Sequence, residues 1–133
     1  RWIAQSCYKQ GRTAEAAAWY HRAIAEAPCM REPYVEFAQM AYDLENWPMV
    51  FCMMEEALKI KSKSTVYVNM GYAWDHTPDD LCAVACYKLG MYERALLHAQ
   101  EALRLQPNDE RLMNNLKSIE EAKSSFGFRY PCG

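Results

Sequence analysis

The stretch LCAVACYKLGMYERALLHAQEALRLQP (81–107) is the clearest indication of the fold in this chain of 133 residues. Its two halves have helical apolar spacing, and they are separated by Gly90, a residue that accepts the left-handed backbone of a tight turn. The second half lines up with AEAAAWYHRAIAEAP (14–28). The recurring residues are Ala16, Tyr20, Ala23 and Pro28 in the first segment and Ala95, Ala99, Ala102 and Pro107 in the second. We therefore predict that the chain repeats a hairpin of two helices.

A third copy between these two segments sets the period of the repeat. Its matching residues are Val50, Met54, Ala57 and Ser62. Ala57 follows Ala23 by 34 residues, but Ala102 follows Ala57 by 45. The extra residues lie in about 63–76, KSTVYVNMGYAWDH, which lacks helical periodicity. A long irregular insertion is typical of a functional or partner-contacting segment. The alternative is an apolar flap over the groove between two hairpins.

Turn and cap residues mark the helix ends. Gly11 and Gly90 fall at the turns inside the first and third hairpins. The middle hairpin has Glu45 there, followed by Asn46, a residue that also tolerates this conformation. Thr77 is predicted as an N-cap, because a proline and two acids follow it. Together with the apolar spacing, these signals predict helices at about 1–10, 14–27, 31–45, 48–61, 78–90, 92–105 and 109–124.

These elements predict an all-α fold in which three hairpins form a right-handed solenoid with a C-terminal capping helix. The predicted repeats span about 1–28, 31–62 and 77–107 of a single domain at 1–124, and 125–133 form a C-terminal tail. The last helix suits a cap because Leu112, Leu116 and Ile119 form one apolar stripe opposite polar residues. The predicted core consists of Ala4, Cys7, Ala16, Tyr20, Ala23, Phe37, Ala38, Ala41, Val50, Met54, Ala57, Cys82, Ala83, Cys86, Ala95, Ala99 and Ala102.

The K-L-G-x-Y-x-x-A-L run and the A-L-x-L-x-P run that ends at Pro107 resemble the tetratricopeptide repeat family. The resemblance covers nearly the whole chain. It implies a solenoid whose first helices line a concave face that binds proteins or peptides. Two features depart from the pattern: the third copy lacks a large aromatic early in its first helix, and the middle copy lacks the closing proline.

The residues from Trp74 onward are also similar to the C-terminal repeat region of bacterial family 2 glycosyltransferases. They carry W-x-x-x-P-x-D-L-x-x-x-A-x-Y-x-L-G-x-Y-x-x-A-L and then L-x-P-N-D-x-R-L-x-x-N-L. The opening RWIAQSCYKQGRTAEAAAWYHRAI resembles the first repeat after the catalytic domain of such enzymes. Nothing matches that catalytic domain, so the resemblance implies a parent enzyme and a non-catalytic fragment. The chain also opens without methionine, which we interpret as a cut from a longer protein.

Composition and charge argue against several functional classes. The formal net charge is -2 and the basic residues are scattered, whereas nucleic acid needs a concentrated basic surface. No uncharged stretch is long enough to span a bilayer, and no secretory signal opens the chain. The six cysteines lack C-x-x-C spacing, and most lie in apolar helical faces, where a free thiol behaves as a small hydrophobe. We therefore expect a cytoplasmic protein that binds no nucleic acid and has no membrane span.

We expect no catalytic residues, no cofactor and no metal. A candidate divalent-ion site comprises Asp75, His76, Asp79 and Asp80. Acids at a helix N-terminus are more simply explained by the helix dipole. Cys82 and Cys86 share a helix face, and with His98 they form a candidate zinc site. Structural zinc usually takes four ligands from tighter pairs, which argues against it.

The candidate binding surface lies on the first helices of the hairpins. Tyr8, Tyr42 and Tyr87 fall at one repeat position, and a row of tyrosines suits peptide binding. The alternative is that each ring packs sideways on a neighbouring repeat. The predicted concave-face residues are Gln5, Tyr8, Lys9, Gln39, Tyr42, Asp43, Asp80, Val84, Tyr87, Lys88, Arg111 and Asn114. The predicted insertion contacts are Tyr67, Tyr72 and Trp74.

Three functions are compatible with these features. The first is a protein–protein interaction module, as the non-catalytic C-terminal domain of a larger glycosyltransferase. The second is a free-standing peptide-binding scaffold or co-chaperone-like adaptor. Family members that hold chaperone carboxylates use Lys, Asn and Arg in the groove, whereas Asp43 and Asp80 stand among those positions here. The third is a metal-dependent enzyme built on the acidic segment 75–80. Exposed apolar ends of a short solenoid also favour self-association.

Overall fold

The computed structural model describes residues 2–61 and 71–129, which form seven α-helices and a short 3₁₀ turn. The helices are α1 (Trp2–Lys9), α2 (Thr13–Glu26), α3 (Glu32–Asp43), α4 (Trp47–Leu58), α5 (Thr77–Lys88), α6 (Tyr92–Leu105) and α7 (Glu110–Arg129), and the 3₁₀ turn spans Gly71–Ala73. The predicted all-α fold is confirmed. Observed helix ends lie within three residues of the predicted ones, except at the end of α7.

Helix α7 continues to Arg129, although the sequence predicted its end near 124 and a tail beyond. The physical reason is the absence of a strong stop signal, since the first proline after the helix start is Pro131. None of the described helices is long and apolar enough to cross a membrane.

The three hairpin turns share one backbone geometry. Gly11, Glu45 and Gly90 have φ values of +79°, +56° and +79°. The next residue in each turn donates its backbone N–H to a carbonyl five residues earlier, at 2.8 Å in all three cases. This is the Schellman pattern, which satisfies carbonyls left free at a helix end. The middle hairpin therefore uses Glu45 itself in the left-handed region, and Asn46 has φ −87° instead.

Side-chain caps begin two of the helices that the structure describes. Asn46 Oδ1 accepts from Met49 N at 3.3 Å at the start of α4. Asp109 Oδ1 accepts from Leu112 N at 3.2 Å in the same way. The prediction that Thr77 is an N-cap is wrong, because Thr77 is already the first helical residue of α5. The N-cap residue is His76, and its side chain makes no capping bond. Asp75, one residue before it, accepts from Thr77 N through Oδ1 at 2.8 Å.

The core is built from small residues where helices cross. Ala4, Ala38 and Ala83 lie at equivalent positions and are 0–2% exposed, so the paired helices approach closely. Of the predicted core residues, all are buried except Ala23, which is half-buried. Among the described residues, α2 packs mainly against the short α1 and part of α3, so Ala23 is less covered than its equivalents Ala57 and Ala102.

Candidate functional site

Two grooves lie between the first helices of successive hairpins. The larger has a volume of about 320 Å³ and is bounded by α3, α5 and α7. The smaller, of about 230 Å³, lies mainly between α1 and α3. We refer to them as the larger groove, lined by Tyr42, Ala83, Val84, Tyr87, Lys88, Arg111, Asn115, Ser118 and Ile119, and the smaller groove, lined by Gln5, Tyr8, Lys9, Tyr20, Glu36, Gln39, Met40 and Asp43.

Aromatic and basic side chains meet in the larger groove. Tyr42 is 36% exposed, and its ring packs edge-on against Trp47 at 5.1 Å between centroids. Lys88 Nζ lies 5.7 Å from the centre of the same Trp47 ring. The ring of Tyr87 contacts that of Tyr92, with 5.9 Å between the centroids. Each tyrosine therefore packs against the next helix of its own hairpin and also lines the groove.

A two-point ion pair crosses the larger groove between α5 and α7. Arg111 donates to both carboxylate oxygens of Asp80, at 2.7 and 3.3 Å. This hydrogen bonding raises the pKa of Arg111. The pair joins the capping helix to the third repeat, and the exposed Lys88 contributes a further positive charge to the lining of the same groove.

The smaller groove is bridged by hydrogen bonds between repeats. Gln5 Nε2 donates to Glu36 Oε1 at 2.7 Å, and the Tyr8 hydroxyl donates to Asp43 Oδ2 at 3.0 Å. Burial, and then the bond to Asp43, raise the pKa of Tyr8. Lys9 is exposed, so the smaller groove presents both acidic and basic groups.

The structure brings ten of the twelve predicted concave-face residues into the two grooves. They are Gln5, Tyr8, Lys9, Gln39, Asp43, Tyr42, Val84, Tyr87, Lys88 and Arg111. Asp80 does not line either groove, but it forms an ion pair with Arg111, which does. Asn114 is exposed on α7, but Asn115 lines the groove instead. The i, i+4, i+7 spacing of Arg111, Asn115 and Ser118 is the signal that identifies this face, since one residue turns a helix by about 100°.

The end of the insertion packs on the first turns of α3. Trp74 Nε1 donates to Glu32 Oε2 at 3.2 Å, and the Tyr72 hydroxyl donates to Glu36. Glu32 is 0% exposed and Glu36 is 5% exposed. The polar atoms of two predicted insertion contacts are thus bonded within the chain, as the flap alternative requires. Tyr67, the third, lies outside the described residues.

Arg31 connects this part of the insertion to the start of α3 and to the chain that follows α4. Its guanidinium lies 4.2 Å from the centre of the Trp74 ring. Arg31 Nε donates to the carbonyl of Ile60 at 2.8 Å, and Nη1 donates to that of Ala73 at 3.2 Å. No sequence pattern points to Arg31, because its acceptors lie 29 and 42 residues away along the chain.

The acidic segment 75–80 does not converge on one point. Asp75 accepts from the backbone N–H of Thr77, Asp80 pairs with Arg111, and Asp79 is 7% exposed and contacts His98 at 3.0 Å. The bond to Asp79 raises the pKa of His98. The structure therefore gives no support to an enzyme built on this segment.

Comparison with known proteins gives the class of the fold. The tetratricopeptide repeat family model matches residues 81–109. The NMR structure of the first TPR domain of the human RPAP3 protein is 20% identical, with a TM-score of 0.73 over 96% of this chain and 92% of that one. The first TPR of Spaghetti (RPAP3) bound to HSP90 peptide SRMEEVD is 19% identical, with a TM-score of 0.73 over 92% and 88%. No curated protein sequence matches the chain.

The chain therefore has a tetratricopeptide-type solenoid fold, and its third repeat matches the tetratricopeptide repeat family model.

Proposed function

We propose that this chain is a non-catalytic interaction module that binds an extended peptide segment of another protein in the larger groove. The observation that carries the proposal is the meeting of Tyr42, Tyr87, Lys88 and Arg111 in one open groove of about 320 Å³. Aromatic rings and arginine are the side chains that contribute most to binding at protein interfaces. They give apolar area with few rotors to freeze.

The charges favour a peptide with an acidic part over α5 and α7. Lys88 is exposed there, and Arg111 keeps donors beyond the two it gives to Asp80. The structurally similar Spaghetti domain was solved with the acidic peptide SRMEEVD, which supports an adaptor role of this kind.

A peptide selection tests the proposal. Peptides displayed on phage are selected against the whole chain, and the affinities of the selected peptides are measured by fluorescence anisotropy. Tyr42→Ala and Arg111→Ala should each weaken binding by about tenfold or more, which corresponds to about 1.4 kcal/mol. Arg104→Ala is the matched control, because Arg104 is exposed on α6 and lines neither described groove.

The outcome is decisive in either direction. Peptides whose affinity falls with Tyr42→Ala and Arg111→Ala but not with Arg104→Ala establish the larger groove as the binding site. If no selected peptide responds to the two groove variants, the proposal fails.

The second part of the proposal concerns the larger protein. We propose a cytoplasmic parent with a glycosyltransferase domain upstream of Arg1. The support is the similarity that runs from Trp74 to Leu116. The sequence of the intact polypeptide tests it: a nucleotide-sugar-binding domain with paired acids upstream is expected, whereas further helical repeats alone would contradict the link.

A further inference from the structure

Three side chains from different helices converge between the second and third hairpins. They are Glu55 on α4, Cys82 on α5 and His98 on α6, and one ligand atom of each lies within 4.8 Å of the others. Cys82 is 0% exposed, and the side chains of Glu55 and His98 are 28% and 19% exposed. Thiolate, imidazole and carboxylate are the ligand types that zinc takes in proteins.

The orientation of His98 suits a metal ligand. Its Nδ1 lies 3.0 Å from Asp79 Oδ1. Because an ionised carboxylate only accepts hydrogen bonds, Nδ1 is assigned as the donor. In the neutral ring the lone pair is then on Nε2, the nitrogen that faces Glu55 at 3.9 Å. A histidine held by a carboxylate through its other nitrogen is the usual arrangement at protein zinc sites.

Glu55 is held in a similar way from outside the cluster. Arg94 Nη2 donates to Glu55 Oε1 at 3.0 Å. A carboxylate has two oxygens and about four lone-pair positions, so Glu55 can bind a cation while Arg94 orients it.

We propose that Cys82 Sγ, His98 Nε2 and the Glu55 carboxylate bind one zinc-type divalent cation, with a water molecule in the fourth position. A thiolate ligand favours zinc over magnesium or calcium, which prefer oxygen. The two negative ligands balance the two charges of the cation. Uptake replaces the S–H bond of Cys82 with a sulfur–metal bond and releases the thiol proton to solvent.

The cation would connect α4 of the second hairpin to both helices of the third. The larger groove lies between the first helices of these same hairpins. The ion would therefore set the angle between the repeats that form the groove. The inference does not rest on peptide binding, because it concerns residues that do not line the larger groove.

Metal titration of the whole chain tests the site. The chelator-treated, reduced protein is titrated with Zn²⁺ in the presence of a competing chelator, and with Co²⁺ under absorption spectroscopy. We expect one equivalent bound, a thiolate-to-cobalt charge-transfer band, and a higher melting temperature with metal, because the cation binds only the folded state. Cys82→Ser should abolish the band.

Two milder variants keep the test independent of folding. Glu55→Gln changes a partly exposed side chain, and Asp79→Asn keeps an acceptor for His98. Loss of a ligand should weaken zinc binding strongly, and Asp79→Asn should weaken it by about 10–100-fold. Cys52→Ser and His21→Gln are the matched controls, because both residues are exposed and lie outside the cluster. Both should leave binding unchanged.

The inference is overturned if no stoichiometric binding occurs. It is equally overturned if the cobalt band survives Cys82→Ser and disappears with Cys52→Ser, since the metal would then be held by surface thiols. In either case the cluster is an ion-pair network centred on Asp79, His98, Glu55 and Arg94.

Discussion

At the scale of single residues, each of the three hairpin turns has one residue in the left-handed backbone region, but the residue type differs between turns. Glu45 adopts φ +56°, where its Cβ crowds the following carbonyl, while Gly11 and Gly90 have no such contact at +79°. The middle turn is held by the same Schellman hydrogen bonds as the other two. Glu45 therefore stores strain that the packing of α3 and α4 overcomes.

Substitutions at Glu45 and Gly90 should change the free energy of unfolding in opposite directions. Glu45→Gly should stabilise the chain by about 0.5–1 kcal/mol, because relief of strain exceeds the entropy cost of glycine. Gly90→Ala should destabilise it by about 1 kcal/mol through backbone strain alone, since nothing lies within 4 Å of an added Cβ. Urea unfolding measures both. Gly71→Ala is the control without positive φ, and a loss equal to that of Gly90→Ala would contradict the explanation.

At the scale of elements, Arg31 joins the start of α3 to two segments that lie far away along the chain. One is the chain just after α4, through the carbonyl of Ile60. The other is the 3₁₀ turn and the residue after it, through the carbonyl of Ala73 and the ring of Trp74. It is 9% exposed, and burial lowers the pKa of its guanidinium. A planar guanidinium can make two directed hydrogen bonds and still stack, whereas an ammonium cannot.

Replacing Arg31 tests this junction. Arg31→Lys should cost about 1.5–3 kcal/mol of unfolding free energy, because at least one buried carbonyl loses its charged donor. Arg22→Lys provides the comparison on an exposed helix face and should stay within about 0.5 kcal/mol. Equal effects from the two substitutions in urea unfolding would show that Arg31 is not a junction.

The stacked rings of Tyr20 and Phe37 contribute to the packing between α2 and α3. Tyr20 is 2% exposed and stacks on Phe37 at 5.5 Å between centroids. Tyr20→Ala should cost about 3–5 kcal/mol, as for other core aromatics. Leu97→Ala, at a side chain that is 66% exposed, should cost less than about 0.5 kcal/mol. A melting temperature that falls by only a degree or two in Tyr20→Ala would contradict the packing role.

At the scale of the whole molecule, the core divides into two unequal clusters. The larger runs from α3 to α7, and the smaller joins α1, α2 and α3. In a solenoid each repeat is stabilised chiefly by its neighbours, so an end with a small cluster opens more readily than the centre. Helix α7 covers the opposite end with Leu112 and Ile119, which are 2% and 3% exposed.

Hydrogen exchange should report this gradient. Amides of α1 and α2 should exchange faster than those of α5 and α6, because fewer buried residues hold the first hairpin. Tyr20→Ala should accelerate exchange in α1 and α2 selectively. Uniform protection in both hairpins, or uniform acceleration in the variant, would mean that the chain opens as one unit.

The helices, the hairpin repeat and most of the core could be predicted from the sequence. These features depend on local spacing: Ala4, Ala38 and Ala83 recur at equivalent positions, and turn residues punctuate the helices. The sequence also identified most of the residues lining the two grooves, because one helix face repeats in register. The identity of the left-handed residue in the middle turn was missed, since Glu45 adopts that conformation only under the constraint of packing.

Which charged groups are buried depends on tertiary contacts. Arg31 and Glu32 are buried beside Ala73 and Trp74, which pack on the start of α3, and no local sequence pattern predicts that contact. The contact of Glu55 with Cys82 and His98 is also non-local, because the ligand atoms that lie within 4.8 Å of one another come from three helices separated along the chain. Helical periodicity defines which face a residue lies on, but distances between faces depend on how the hairpins stack.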